Sequence, residues 1–549
     1  MSQYSQWYHP YPVNEKYSQR VAYFSMEFGI DQALKIYSGG LGFLSGSHMR
    51  SAHDLRQNVI GIGMLWKHGY YDQERNDDLT MRIQFQKKYY SFLEDTGILV
   101  WVDVNNHPVA VKALVLKPEI FGTVPVYLLT TDIHQNDYLA RTITERLYDK
   151  ELAARIAQSI VLGIGGGKVV EALGGADMYH LNEGHALPLA FHLHQRFHHL
   201  EEVQKRLVFT THTPEKAGNE EHDVYLLHSM GFFNGLSLEE ARQLTGMEGG
   251  LFNYTLAALR MSMRANGVSQ LHGEVARQMW EGHDCLCHIK AITNAQNALF
   301  WQDKPLHQAL EDDDDQALAA RKRELKKELF AEVADQTGKI FDPDVLTVVW
   351  ARRFAGYKRA DLMLRNVYRF YDLINRQEQP VQFIWAGKPY PFDQSGIDTF
   401  DNLVRLSFKR DKFAVLTGHE IALSRKLKLG ADVWLNTPRR PREASGTSGM
   451  TAAMNGAINF SVLDGWIPEF ARHGENSFVL PVVDTSLPDH EQDDEDYENL
   501  MRILEKEVIP TYYQDQPKWM AIVKQSMQDV VPQFDSDRMA REYYEIMYS

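Results

Sequence analysis

Short runs of β-branched and aromatic residues recur along this chain of 549 residues, separated by stretches with helical periodicity. In the second half they are Val345–Trp350, Val381–Gly387 and Ala431–Asn436. In the first half they are Val21–Met26, Val124–Leu129 and Arg206–Thr211. Strand and helix in alternation build βαβ units, whose parallel strands need helices on both faces and offer ligands their carboxyl ends. A single core stops growing at roughly 250–300 residues, so the chain needs at least two domains. The pattern predicts an α/β protein with two doubly wound, Rossmann-like domains facing one another across a cleft. The division places 1–291 in the first domain and 292–530 in the second. An amphipathic C-terminal helix within 531–549 is expected to return to the first.

Charge narrows the function classes. With 58 Lys+Arg against 73 Asp+Glu the net charge is −15, which argues against a nucleic-acid surface. No apolar run approaches the ~20 residues of a membrane helix, and the opening residues predict no cleavable signal. A soluble, cytoplasmic protein is the expectation. Two cysteines cannot frame a disulfide scaffold. Cys285-Leu286-Cys287-His288, with His283 nearby, has no second ligand pair for zinc, so it reads as a strand with core thiols and no metal site. The acidic runs 311–315 and 493–496 read as solvated surface, the first ahead of a helix whose dipole favours acids there.

Against that acidic background, Arg352, Arg353, Lys358 and Arg359 follow directly on the strand ending at Trp350. Cations at a strand's carboxyl end point to an anion site, Arg gripping phosphate bidentately and Lys as a point charge. Tyr37-Ser38-Gly39-Gly40-Leu41-Gly42 leads into a helix, where glycines let backbone amides approach an anion. Gly163–Lys168 lacks P-loop spacing and reads as close helix packing or a helix stop. The segment Glu443-Ala444-Ser445-Gly446-Thr447-Ser448-Gly449-Met450-Thr451 enters a helix after a basic, Pro-rich loop; its hydroxyls and amides suit phosphate or sugar, and Glu443 suits sugar hydroxyls. His185 and His212 follow strand-like runs and stand out among 22 histidines.

Those residues carry a resemblance. The stretches Tyr23–Phe28, Tyr37–Gly42, Tyr179–Ala186, Thr211–Pro214, Trp350–Asp361, Asp432–Asn436, Glu443–Met450 and Asn455–Trp466 resemble, in order, the α-glucan (glycogen and maltodextrin) phosphorylases of the short bacterial and archaeal branch. The resemblance implies a GT-B type fold and a retaining transfer of glucosyl units between α-1,4-glucan and phosphate, with glucose 1-phosphate as the ester. It assigns Arg353 and Lys358 to phosphate groups, backed by the amides of Gly40 and Leu41. Glu443, Ala444, Ser445, Gly446 and Asn294 fall to the glucosyl hydroxyls, and the His212 carbonyl to the oxocarbenium. Glu183 and His185 fall toward the glucan channel, and Arg352, Thr447 and Ser448 border the cofactor phosphate.

That cofactor is pyridoxal phosphate (PLP), which the family binds as a lysine imine one residue after the Met matching Met450. Here that position is Thr451, which has no amine. Ser47, Ala295, Asn297 and the pair His419-Glu420 also depart from the family pattern. The resemblance therefore implies a phosphorylase-like transferase acting on α-1,4-glucan or maltooligosaccharide without covalent PLP. A nucleotide-sugar-dependent transferase and a non-catalytic glucan-binding relative are the alternatives. Oligomeric state stays open.

Overall fold

The computed structural model describes residues 2–549. The chain forms two compact units, one comprising the segment up to Tyr70, Phe85–Asn297 and Ser536–Ser549, the other Tyr71–Gln84 and Ala298–Asp535. Both are mixed α/β structures built on a largely or wholly parallel sheet.

The first unit holds a nine-stranded sheet. Its order is His288–Ala291, Arg264–Gly267, Leu207–Thr210, Met178–Asn182, Val21–Phe24, Val59–Met64, Val126–Thr130, His107–Leu116, Glu94–Val104. The first seven of these run parallel, His107–Leu116 pairs antiparallel to the seventh, and Glu94–Val104 pairs antiparallel to His107–Leu116. The central strands are buried at every residue, as helices on both faces require. Glu94–Val104 lies at the edge and alternates exposed with buried positions. The C-terminal helix Ser536–Glu542 packs on the helix Gly40–Asp54, with Ser51 and Ser536 hydroxyls 2.6 Å apart and Gln57 donating to the Ala540 carbonyl.

The second unit holds six parallel strands in the order Phe413–Leu416, Val381–Ala386, Leu346–Ala351, Val433–Asn436, Ile458–Ser461, Ser477–Val479. Successive residues alternate between two apolar clusters. Val348, Trp350, Phe383, Trp385 and Phe460 belong to one, and Val349, Ala351, Ile384 and Trp434 to the other. Period-2 alternation between two cores is what a sheet covered on both faces demands, and each fully buried large side chain contributes about 1.5–3 kcal/mol.

The units do not follow the sequence division at 291/292 and 530/531. The hairpin Asp72–Arg75/Met81–Gln84 belongs to the second unit, because Gln73 donates to the Gly387 carbonyl and accepts from Gly418 N–H, and Met81 N–H reaches Asp401. Three local expectations also change. Cys285 sits at φ 61 and is exposed, and the strand starts only at His288, so Cys285 is not a core residue, while Cys287 is half-buried. Gly163–Gly167 does not stop a helix: a π turn over Val161–Gly165 carries the helix through to Ala172. Close packing accounts for the glycines, since a Cβ on Gly163 would lie 2.7 Å from Leu189 N, and one on Gly166 2.7 Å from Phe24. Asp493 and Asp496 are not solvated surface; they sit in the helix Asp489–Ile503 and pair with arginines.

Candidate functional site

In the second unit the chain builds outward from Leu346–Ala351 in one direction, then returns to its other side with Val433–Asn436. Between these two strands the order reverses, the place where open α/β sheets bind ligands at their carboxyl ends. Arg352 follows the first strand and Thr437 the second. The turn after Ala351 depends on Gly387, at φ 152, where a Cβ would stand 1.8 Å from the Arg352 carbonyl oxygen.

Here one carboxylate holds two cations. Glu443 Oε2 is 2.9 Å from Arg352 Nη2 and 3.0 Å from Lys358 Nζ, with side-chain exposures of 10%, 4% and 13% respectively. Gly446, at φ 84, admits the guanidinium: a Cβ there would lie 3.1 Å from Arg352 Nη2. Arg352 Nη1 and Ser445 Oγ are buried without a hydrogen-bond partner, which points to a polar ligand, because buried polar groups are otherwise nearly always satisfied. Burial and the Arg352 charge bring Lys358 down to about 8 against the pull of Glu443. Burial alone would raise Glu443, yet Arg352 and Lys358 outweigh it and hold the carboxyl below its usual range. Asp464 lies behind, accepting from Glu443 N–H and Gly465 N–H at 2.9 Å each. Burial, with the Glu443 charge adding, lifts it to about 7.

Not all four cations expected at this strand end belong to the cluster. Arg359 is buried and committed elsewhere: to Asp493 at 2.9 Å, to Asp496 at 2.7 Å, and to the carbonyls of Thr437 and Pro438. It clamps the loop after Asn436. Arg353 is exposed.

Ala444 and Ser445 are buried, and Thr447 leads into the short helix Ser448–Ala453. Thr451 is wholly buried, and its hydroxyl donates to the Ser448 carbonyl at 3.0 Å. The Asn455 amide reaches both the Thr451 carbonyl at 2.7 Å and the Trp301 carbonyl at 3.0 Å. Beside Glu420, which pairs with Lys388 at 2.9 Å, burial and the charges of Lys428 and Lys388 take His419 down to about 3, so its imidazole is neutral.

In the first unit the strand order reverses between Val21–Phe24 and Met178–Asn182, and the remaining predicted residues collect at that end. Glu183, at φ 71, accepts from Gly184 N–H, from His212 N–H at 2.7 Å and from the Thr213 hydroxyl. Burial raises its carboxyl despite those donors and His185. His212 Nε2 lies 2.7 Å from Asn182 Oδ1, and burial holds the ring at about 3, so Nε2–H donates from a neutral imidazole. The His185 ring lies 5.8 Å from that of Tyr148, tilted by 48°, and Asn294 Oδ1 is buried without a partner.

The glycine loop is held by a residue that sequence reasoning passed over. Glu27 accepts from Ser38 N–H at 2.6 Å, Gly39 N–H at 3.2 Å, the Ser38 hydroxyl and the Tyr148 hydroxyl at 2.7 Å. Gly39 and Gly40 face open space, while Gly42 and Gly46 pack against the 27–29 segment. A lone acid inside the buried, uncharged stretch Ser25-Met26-Glu27-Phe28 is the signal that marks it. Of the departures from the family pattern, Ser47 bonds Gln296 and Asn297 bonds Ser51 and Asp54 in the first unit, whereas His419-Glu420 lies in the second.

Among the described residues no group of three or more His, Cys, Asp or Glu is placed to hold a metal ion, and no helix is long and apolar enough to cross a membrane.

The profile of the carbohydrate phosphorylase family matches residues 292–482. An uncharacterized protein of Methanocaldococcus jannaschii is 47% identical over 96% of this chain and 99% of its own length. The maltodextrin phosphorylase of Thermococcus litoralis is 35% identical over 97% of this chain and 71% of its own. The glycogen phosphorylase of Mycobacterium tuberculosis is 32% identical, covering 96% and 70%.

Proposed function

This chain belongs to the carbohydrate phosphorylase family, and we propose that it is a retaining glucosyltransferase acting on α-1,4-glucan with phosphate or glucose 1-phosphate, without covalent PLP. The observation that carries the reading is the buried Arg352–Glu443–Lys358 cluster with its unsatisfied Arg352 Nη1, at the strand-order reversal of the second unit. Phosphate oxygens need fixed donors in a water-poor site, and two cations sharing one carboxylate supply a net positive charge there. Arg353, next in sequence, adds a second guanidinium.

When phosphate enters, Arg352 Nη1 and Lys358 Nζ are the donors that meet it, and Glu443 is freed to accept from sugar hydroxyls alongside Ser445 and the Ala444 and Gly446 backbone. Asp464, near 7, holds the Glu443 amide and limits negative charge behind the carboxylate. In the first unit, Glu183 fixes the His212 backbone through its N–H. That orients the carbonyl available to a developing positive sugar. The amides of Gly40 and Leu41 at the start of Gly40–Asp54 suit an oxyanion. Sugar phosphates as substrates imply the cytoplasm as the compartment.

The residues at position 451 do not fit a PLP imine: Thr451 offers a buried hydroxyl already donated to Ser448. No step here runs through that cofactor. Donor identity is tested by incubating the protein with maltoheptaose and phosphate, and separately with maltoheptaose and nucleotide-glucose. Glucose 1-phosphate in the first reaction alone supports the reading. Chain extension from nucleotide-glucose alone replaces it with the nucleotide-sugar alternative. Glucan binding with no turnover of either leaves a binding protein.

A further inference from the structure

Two lysines, Lys428 buried and Lys322 half-buried, are linked to Thr451 through Trp301 and Asn455. Lys428, on the helix Ile421–Gly430, is 2% exposed, and its Nζ stands 3.8 Å from the centroid of the Trp301 ring. One turn earlier on that helix, Arg425 donates to the Phe300 carbonyl, so the helix is fastened along Phe300-Trp301 by successive cations. Lys322 Nζ donates to the carbonyls of Leu429 and Asn455 at 2.8 Å each. The Asn455 side chain in turn holds the carbonyls of Trp301 and Thr451. Lys428, Trp301, Asn455 and Thr451 are thereby tied into one small neighbourhood, and the helices bearing Lys428 and Thr451 pack directly on each other. Burial brings both lysines down to about 7. Neither cation is cheap to keep there, and a core of this kind would pack more simply around an aliphatic side chain.

We infer that Lys428 closes the pocket beside Thr451, its side chain seated on Trp301 in the space that a lysine at 451 and an aromatic aldehyde would share. The exchange at 451 is then one half of a pair: an amine is lost from one helix, and another, on the neighbouring helix, fills the room it served. The inference rests on the proposed reading of 451 as the lost imine position and deepens it. The pocket is shut to the cofactor, and Lys428 is the residue that decides its specificity.

Pyridoxal phosphate itself is the probe. The native chain is incubated with excess PLP, reduced with borohydride and mapped by peptide mass. Label on exposed lysines only is expected; label on Lys428 makes it an accessible amine and overturns the inference. Thr451→Lys alone is expected to take little label at 451. Thr451→Lys with Lys428→Met is expected to take about ten- to thirtyfold more there, the factor a desolvated cation–π contact corresponds to. Equal labelling of the single and double variants overturns the inference, as does an unlabelled double variant that unfolds at the native temperature. Should the double variant fail to fold, Lys428→Met alone reads the same opening through pyridoxamine phosphate, which needs no amine. Fluorescence titration is expected to show binding to that variant and none to the native chain, and equal binding to both refutes it. None of these readouts uses glucosyl transfer, so an inactive protein with a closed pocket counts against the proposed function only.

Discussion

Asp464→Asn isolates the electrostatics behind Glu443. Asp464 is buried, and its carboxyl stands at about 7 instead of 3.8, first through burial and then through the neighbouring Glu443 charge. A raised carboxyl keeps its proton in the folded chain over a range where the unfolded chain has released it. Between about pH 4 and pH 7 the native state thus binds more protons, and stability falls as pH rises through that window. Three pKa units correspond to a ceiling of about 4 kcal/mol, of which about 2–3 kcal/mol falls between pH 5 and pH 8. Asparagine keeps an acceptor for Glu443 N–H and cannot ionise. Urea unfolding of both proteins at half-unit steps from pH 5 to pH 8 gives the comparison, and all other titrating groups cancel in the difference. The native chain is expected to lose about 2–3 kcal/mol relative to Asp464→Asn across that range. Parallel pH profiles would refute the account of a protonated carboxyl beneath the cluster.

Glu443→Gln leaves Arg352 and Lys358 buried without their carboxylate and is expected to cost about 3–5 kcal/mol in urea unfolding. Added phosphate or sulfate should recover part of the loss by ligand linkage, and no anion-dependent recovery would count against an anion site there. Arg359→Met, which breaks the contacts to Asp493 and Asp496, should cost somewhat less, because it leaves the buried Asp496 unpaired while Arg439 still holds Asp493. Phosphate affinity should change far less than in Lys358→Met, which titration calorimetry checks. Glu27→Gln should speed amide exchange at Ser38 and Gly39 by about tenfold or more, since a charge-assisted acceptor worth about 1.5–3 kcal/mol is replaced by a neutral one. Unchanged exchange there would remove Glu27 as the holder of the loop.

Much of the fold was legible because parallel strands buried on both faces must be largely apolar, and Val21–Phe24, Leu346–Ala351 and Val381–Ala386 read that way, with Thr347 and Gln382 the exceptions. What escaped depends on partners remote in sequence. The hairpin at 72–84 looks like any amphipathic pair until Gln73 meets Gly387 and Gly418. A run of acids reads as solvent-facing, and only arginines remote in sequence turn Asp493 and Asp496 into counter-ions. The cation-rich turn after Ala351 reads as an anion site, but Arg359 bonds away from it and Glu443 grips the cations it was expected to accompany. Lys428 was least visible. On Arg425-Lys426-Leu427-Lys428 it looks like one more solvated charge on a surface helix, and only packing against Trp301 makes it interior.

The central claim is transfer between glucan and phosphate without an imine cofactor. Phosphorus NMR of the protein with maltoheptaose and inorganic phosphate, with and without added PLP, tests it most directly. The account predicts α-glucose 1-phosphate at the same rate in both samples, and less of it in Lys358→Met. Formation of the ester only when PLP is supplied, or in neither sample, would contradict it.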